Sequence, residues 1–174
     1  MSSQAQANSD EQALARLADT EYLVRRSVTK GYQLFSILTP PIYAGINIFR
    51  KGRGHLTVNR LLRATWLGGA AGIASGGASE YIRSSNSSSE TLRSRRIRAA
   101  YDTDALRADD HATIGALLCA VLTPAIFWKR GTAIHLIFGG AGLGTAAGYF
   151  THVARSASGD VPPRPVVPQI APGS

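Results

Sequence analysis

The chain has 174 residues, of which 44% are hydrophobic and only 17% are charged, and its formal net charge is +8. This length suits one domain, while the charged fraction lies below the roughly one quarter that is typical of soluble domains. The single cysteine, Cys119, excludes an intrachain disulfide and a cysteine-cluster metal site, and we expect it to be a small buried apolar residue.

The charged residues are clustered, and this clustering predicts the fold class. Four segments contain no Lys, Arg, Asp or Glu: Gly31–Phe49, Ala64–Ser79, His111–Trp128 and Gly131–Ala154. A bilayer span needs about 17–25 mostly apolar residues, and three of the segments reach that length. The second has 16 residues and is long enough only if Leu61 and Leu62 join it while Arg63 snorkels to the interface. We therefore predict an all-α membrane protein with four transmembrane helices arranged as two duplicated helical hairpins.

The same pattern predicts five regions along the chain. They are a polar N-terminal segment with an amphipathic helix (1–30), a first transmembrane hairpin (31–83), a polar charged loop (84–110), a second transmembrane hairpin (111–155) and a disordered Pro-rich tail (156–174). Asp10, Glu11, Asp19 and Glu21 in the first region argue against a secretory signal or a transit peptide, so we expect any targeting information to be internal.

The duplication rests on a repeated order of motifs. "ILTPPI" (Ile37–Ile42) recurs as "VLTPAI" (Val121–Ile126), and each is followed by an aromatic residue, a basic turn and a glycine-rich segment. The prolines of these motifs, Pro40, Pro41 and Pro124, are predicted to be fixed kinks within helices, the alternative being gating hinges. Thr39 and Thr123 are expected to bond the backbone groups that the prolines free.

Each glycine-rich segment carries three glycines at four-residue spacing, which are Gly68, Gly72 and Gly76 in the first and Gly140, Gly144 and Gly148 in the second. This spacing places each set on one stripe of a helix, where a bare backbone lets a second helix approach closely in lipid. The alternative is a dinucleotide-binding loop at Gly142–Ala147 with Asp160 as its acidic partner. We favour helix packing, because the Pro-rich tail leaves no room for the following strand and helix units.

The basic turns predict an orientation. They carry seven positive charges and no acid: Arg50, Lys51, Arg53, Arg60, Arg63, Lys129 and Arg130. The other side of a four-span protein would carry 12 basic and 11 acidic residues. The positive-inside rule then places the turns in the cytosol or the mitochondrial matrix. Arg93, Arg95, Arg96 and Arg98 form the densest basic patch of the polar loop, for which a solvated helix or a partner or lipid-headgroup site are the two interpretations.

No pattern of catalytic residues is present in the sequence. The four histidines do not share a metal-ligand spacing, and His135 and His152 are about 25 Å apart along one helix. Hydrolase, zinc-protease and P-loop motifs are missing, and no acidic residue lies inside a predicted span. We therefore predict a protein that is not an enzyme and has no catalytic, cofactor-binding or metal site, and that does not bind nucleic acid.

Together, the short spans, the two G-x-x-x-G arrays and the basic turns resemble the Tim17/Tim22/Tim23-like group of the mitochondrial inner membrane, including the related complex I accessory subunit. The resemblance covers roughly 31–155 and implies termini in the intermembrane space and turns in the matrix. Small cristae-organising proteins, with a Gly-rich hairpin and a basic turn, are similar as well. The Arg-and-Asp signature of the group between its second and third spans is not found here, so no functional residue is carried over.

We predict a non-enzymatic accessory, assembly or scaffold subunit of a mitochondrial inner-membrane complex, with the lipid bilayer and other membrane subunits, or a second copy, as partners. The first alternative is a small membrane transporter or translocase component, and the second is a soluble nucleotide-binding enzyme. A secretory-pathway membrane is the alternative location, for which the sequon Asn86-Ser87-Ser88 provides a test.

Overall fold

The computed structural model describes residues 2–52, 56–160 and 162–163. Within these ranges the protein is helical and contains no strand. The helices are α1 (Ser2–Lys51), α2 (Val58–Ser85), α3 (Ser89–Ala100), α4 (Thr103–Phe127) and α5 (Ala133–Ala157). Most of the predicted Pro-rich tail and Arg53 lie outside the described residues.

Helix α1 is continuous over 50 residues, although we expected an amphipathic helix in 1–30 and a separate span after it. The charged part contains no helix breaker before Gly31, and an exposed ion pair between Glu21 and Arg25, 2.7 Å apart at i,i+4, bridges one turn of it. Pro40 and Pro41 lie inside the helix and do not end it. The helix ends at Gly52, which adopts φ 77°, a conformation that favours glycine.

Helix α3 occupies part of the polar region 84–110, and capping explains its start. The Ser88 side chain accepts a hydrogen bond from the Thr91 backbone N–H, and Leu92 is fully buried. Asp102 caps α4 in the same way, since its carboxylate accepts from the Ala105 N–H. Polar side chains at both caps therefore fix a short helix between the two longer pairs.

The predicted set of four transmembrane helices is wrong. Of the helices in the described residues, only α4 and α5 are long and apolar enough to cross a membrane. The uncharged part of α1 includes Gln33 and Asn47 beside its two prolines, and these polar groups lower its hydropathy. Helix α2 consists largely of glycine, alanine and serine and also carries Arg63 and Glu80. Absence of charge within a segment is thus a weaker criterion for a span than its apolar content.

The long helices pack as two antiparallel pairs. α1 lies along α2 and α4 lies along α5, while α2 and α1 also contact α5, and α3 contacts α1. The connections α1–α2 and α4–α5 lie at one end of the bundle, where the Thr132 N–H donates to Asn59 Oδ1 at 3.4 Å. The other end holds α3 and most of the charged side chains.

Candidate helix-packing seams and outer surface

The seam between α1 and α2 is formed by backbone atoms at Gly72. A Cβ atom added to Gly72 would overlap the carbonyl of Gly31, and one added to Gly31 would overlap the carbonyl of Gly72. One turn away, a Cβ on Gly76 would lie 2.5 Å from the Ser27 carbonyl oxygen. On the other side, a Cβ on Gly68 would lie 2.8 Å from Cβ of Thr39. The first predicted glycine array therefore lies directly against α1.

The seam between α4 and α5 is built in the same way. Gly144 faces Gly115, and a Cβ on either would overlap the other's carbonyl oxygen. A Cβ on Gly148 would overlap the His111 backbone, and one on Gly140 would lie 2.6 Å from the Thr123 Oγ1. All three glycines of the second array are buried.

The two seams use equivalent positions of the repeated motif. Gly31 and Gly115 each lie eight residues before the threonine of the L-T-P motif, and each faces the middle glycine of its array. The motif threonines, Thr39 and Thr123, each face the first glycine of the array. Sequence reasoning did not single out Gly31 or Gly115, although their equal distance from the motif could have identified them.

Pro40 and Pro41 lie inside α1, and Pro124 lies inside α4. That they act as fixed kinks stays a prediction. The adjacent threonines were expected to bond backbone groups freed by the prolines. Within the described residues, neither hydroxyl forms such a bond, and both side chains pack against a glycine of the neighbouring helix. The threonine therefore fills the space beside a bare backbone in each seam.

A second face of α5 joins the two pairs. A Cβ on Gly139 would lie 2.6 Å from Cβ of Leu62, and one on Gly142 would lie 2.7 Å from Cγ2 of Thr65, both on α2. Nearby, Trp66 Nε1 donates to Nδ1 of His135 at 3.1 Å across the same helix pair. Gly139 and Gly142 lie outside the four-residue array, so α5 carries glycine on two faces and is the central helix of the bundle.

The distribution of side chains is the reverse of that in a soluble bundle. The largest fully buried side chains are three leucines, two threonines and two serines: Leu62, Leu92, Leu136, Thr65, Thr145, Ser36 and Ser84. Large apolar side chains lie outside, for example Val121 at 71% and Ile126 at 69% exposure on α4. Only 6% of the most apolar stretch of α4 is buried within the protein, and the corresponding share for α5 is 39%. Cys119, which we expected to be a small buried residue, is half-buried in the α4–α5 seam.

Ion pairs link the helices at the end of the bundle opposite the turns. Arg96 joins α3 to Asp19 of α1 at 2.6 Å, and Lys30 of α1 contacts Asp109 of α4 at 2.7 Å. After α5, Asp160 contacts Arg107 and Arg155, both at 2.7 Å. The hydrogen bond from Arg107, followed by that from Arg155, lowers the pKa of the Asp160 carboxyl below its ordinary value of 3.8. Charged contacts therefore close this end, outside the apolar surface.

The predicted basic turns lie at the opposite end. Arg50 and Lys51 end α1, and Lys129 and Arg130 follow α4, close to the start of α2. Arg50, Lys129 and Arg130 form no salt bridge within the described part of the chain. An unpaired positive charge beside an apolar surface is the arrangement that fixes orientation in a membrane.

Chemistry-bearing groups are few in the described residues, which contain no cluster of three or more His, Cys, Asp or Glu that could hold a metal ion. His111 and His152 lie close together, with ring centroids 5.7 Å apart, and Asp104 Oδ1 lies 3.4 Å from Nε2 of His152. Comparisons of the chain with protein-family models, with curated proteins and with solved structures found no match. The seams and the outer surface are therefore the features of the molecule that bear on its function.

Proposed function

We propose that the protein is a non-enzymatic integral membrane subunit whose α4–α5 hairpin crosses the bilayer. The observation that carries this proposal is the exposure of α4. A core helix of a soluble protein is mostly buried, whereas α4 leaves nearly all its apolar side chains outside the bundle. Soluble monomers rarely expose contiguous apolar patches of more than a few hundred Å². Lipid or another membrane helix covers such a surface without cost.

The seams support a role in assembly over a role in catalysis. In lipid, helices associate through close backbone packing at small residues, which is the contact that Gly72 and Gly144 make. This packing leaves the outer face of α4 free for contact with other subunits. The proposed role is that of an accessory, assembly or scaffold component of a larger membrane complex.

The proposed location is the mitochondrial inner membrane, with the Lys129–Arg130 turn in the matrix and the ion-paired end in the intermembrane space. The positive turn beside the α4–α5 hairpin supports this orientation. Asn86, at the C-terminal end of α2, is exposed at the ion-paired end and would be accessible to the glycosylation machinery in a secretory membrane.

One fractionation experiment tests the proposal. Tagged protein in isolated mitochondria should stay in the pellet after alkaline carbonate extraction, and after mild detergent it should migrate on a native gel within a large complex. Co-purifying proteins then identify the assembly. Release by carbonate would contradict the membrane proposal, and a small free species would contradict the subunit role. A mobility shift after N-glycosidase treatment would place the protein in the secretory pathway instead.

A further inference from the structure

At the ion-paired end of the bundle, a cavity of about 430 Å³ lies between α1, α2, α3 and the start of α4, and it is open to the outside. Five basic side chains line it: Arg26, Lys30, Arg83, Arg95 and Arg98. The acidic side chains in its lining are Glu80 and Asp102. Lys30 is also paired with Asp109, which lies outside the lining. The five cations still outnumber these three carboxylates, so the cavity has an excess of positive charge and favours an anionic occupant.

The pairing of these charges leaves donors without acceptors. Arg95 Nη2 contacts Glu80 Oε1 at 2.6 Å, but Arg95 Nη1 is buried and has no hydrogen-bond partner among the described residues. Arg26 lies 3.8 Å from the Asp102 carboxylate. In the same part of the chain, Arg83 and Arg98 form no ion pair. A buried N–H group without an acceptor is costly, and a bound anion would supply that acceptor.

We propose that this cavity binds a phosphate group. Guanidinium groups recognise phosphate through paired N–H···O hydrogen bonds, and three arginines from two helices, Arg83, Arg95 and Arg98, converge on the cavity. The phosphate oxygens accept from Arg95 Nη1 and from the two arginines that have no carboxylate partner. This inference goes beyond the proposed subunit role, since it assigns a ligand-binding site.

The phosphate group belongs either to a lipid headgroup or to a soluble phosphate compound. The position of the cavity in the bundle favours the lipid headgroup. Lys30 lines the cavity and contacts Asp109 of α4 at 2.7 Å, and the charge-free part of α4 begins two residues later, at His111. The cavity therefore lies at the boundary between the ion-paired end and the apolar surface. Headgroups of a surrounding bilayer lie at that level, so the lipid form of this inference rests on the proposed membrane placement.

The test measures binding to the full-length protein in uncharged detergent micelles. The probes are short-chain phosphatidylglycerol, short-chain phosphatidylcholine and inorganic phosphate, and affinity is measured by calorimetry or thermophoresis. We expect the anionic lipid to bind and the zwitterionic lipid to bind at least tenfold more weakly. Arg98→Gln and Arg83→Gln should each weaken binding about tenfold, because each removes a hydrogen bond between charged groups.

Arg93→Gln is the matched control, because Arg93 is an exposed arginine of α3 that does not line the cavity. Arg83 and Arg98 are exposed as well, so the control matches them in exposure. It should leave affinity within about twofold of the wild type, because its charge lies outside the cavity lining. Arg98→Lys keeps the positive charge but lacks the planar pair of donors, so its affinity should be intermediate. An intermediate affinity would show that the loss in Arg98→Gln does not come from a folding defect.

The outcomes separate the two sources of phosphate. Binding of inorganic phosphate that Arg98→Gln weakens supports a soluble ligand, and binding of the anionic lipid alone supports a headgroup. Failure of both phosphatidylglycerol and inorganic phosphate to bind, or equal loss of affinity in Arg93→Gln and Arg98→Gln, would overturn the proposal. The measurement needs neither membrane insertion nor a partner, so its failure is distinct from failure of the fractionation experiment.

Discussion

The α1–α2 and α4–α5 pairs share an inner seam but differ on their outer faces. Gly31 faces Gly72 in the first pair, and Gly115 faces Gly144 at the equivalent place in the second. Yet only the second pair is long and apolar enough to cross a membrane. Close packing between two helices therefore depends on a few small residues, whereas membrane insertion depends on the residues that face away from the seam. The two properties can vary independently within one chain.

The largest expected effect is a loss of stability when a glycine of either inner seam is replaced by leucine. Gly144→Leu and Gly72→Leu each force a side chain into the backbone of the facing helix, which should cost about 3 kcal/mol, the upper end of the range for overpacking. Thermal unfolding in detergent and native-gel migration measure the loss. Gly45→Leu is the control, because a Cβ there meets nothing within 4 Å. If Gly72→Leu is tolerated while Gly144→Leu is not, the two seams are not equivalent.

A smaller effect is expected when the contact between the two helix pairs, which α2 and α5 form, is disrupted. Gly139→Leu should separate α2 from α5 near Leu62 while leaving both inner seams intact. Trp66 reports this contact, because its ring stacks on His135 with centroids 6.1 Å apart. In a Trp128→Phe background, Gly139→Leu should raise Trp66 emission as the contact with His135 is lost. Unchanged emission would show that the two pairs are not held together at this point.

The smallest expected effect is a shift in the pKa of Asp160, which contacts one of the two arginines that follow the glycine arrays. Arg155 contacts Asp160, whereas Arg83 lines the cavity. Because the pKa of Asp160 is lowered in the folded state, the contact stabilises the fold above pH 3.8 and is lost as pH falls through the lower folded-state value. Carboxyl-carbon NMR measures this pKa directly. Arg107→Gln should raise it more than Arg155→Gln, and titration of Asp160 at or above 3.8 in the wild type would contradict the geometry.

The glycine arrays and the predicted spans rest on different kinds of sequence pattern. Four-residue spacing of glycine is a local pattern, and it placed Gly68 and Gly140 on helix stripes that now lie against another helix. Gly31 and Gly115, which face these arrays from α1 and α4, are isolated glycines in the sequence. Only their equal distance from the repeated L-T-P motif could have identified them. Gly139 and Gly142 depend on a contact between distant helices, which no local pattern encodes.

Two further features depend on context that the sequence pattern does not carry. Absence of charge overestimates the number of spans, because it takes no account of uncharged polar residues such as Gln33 and Asn47. The basic patch of the polar loop was recognised, but the cavity was not, because it needs Arg26 and Lys30 of α1 to meet Arg95 of α3. Helix α1 also continued through Gly31, where the backbone of α2 holds it in place.

The scarcity of large buried side chains has a thermodynamic consequence. The heat-capacity change of unfolding comes mainly from apolar surface that becomes newly hydrated. Separating α4 from α5 exposes mostly glycine backbone, because their large apolar side chains already lie outside the seam. The free energy of that separation should therefore vary almost linearly with temperature, without the pronounced maximum of a soluble helical bundle.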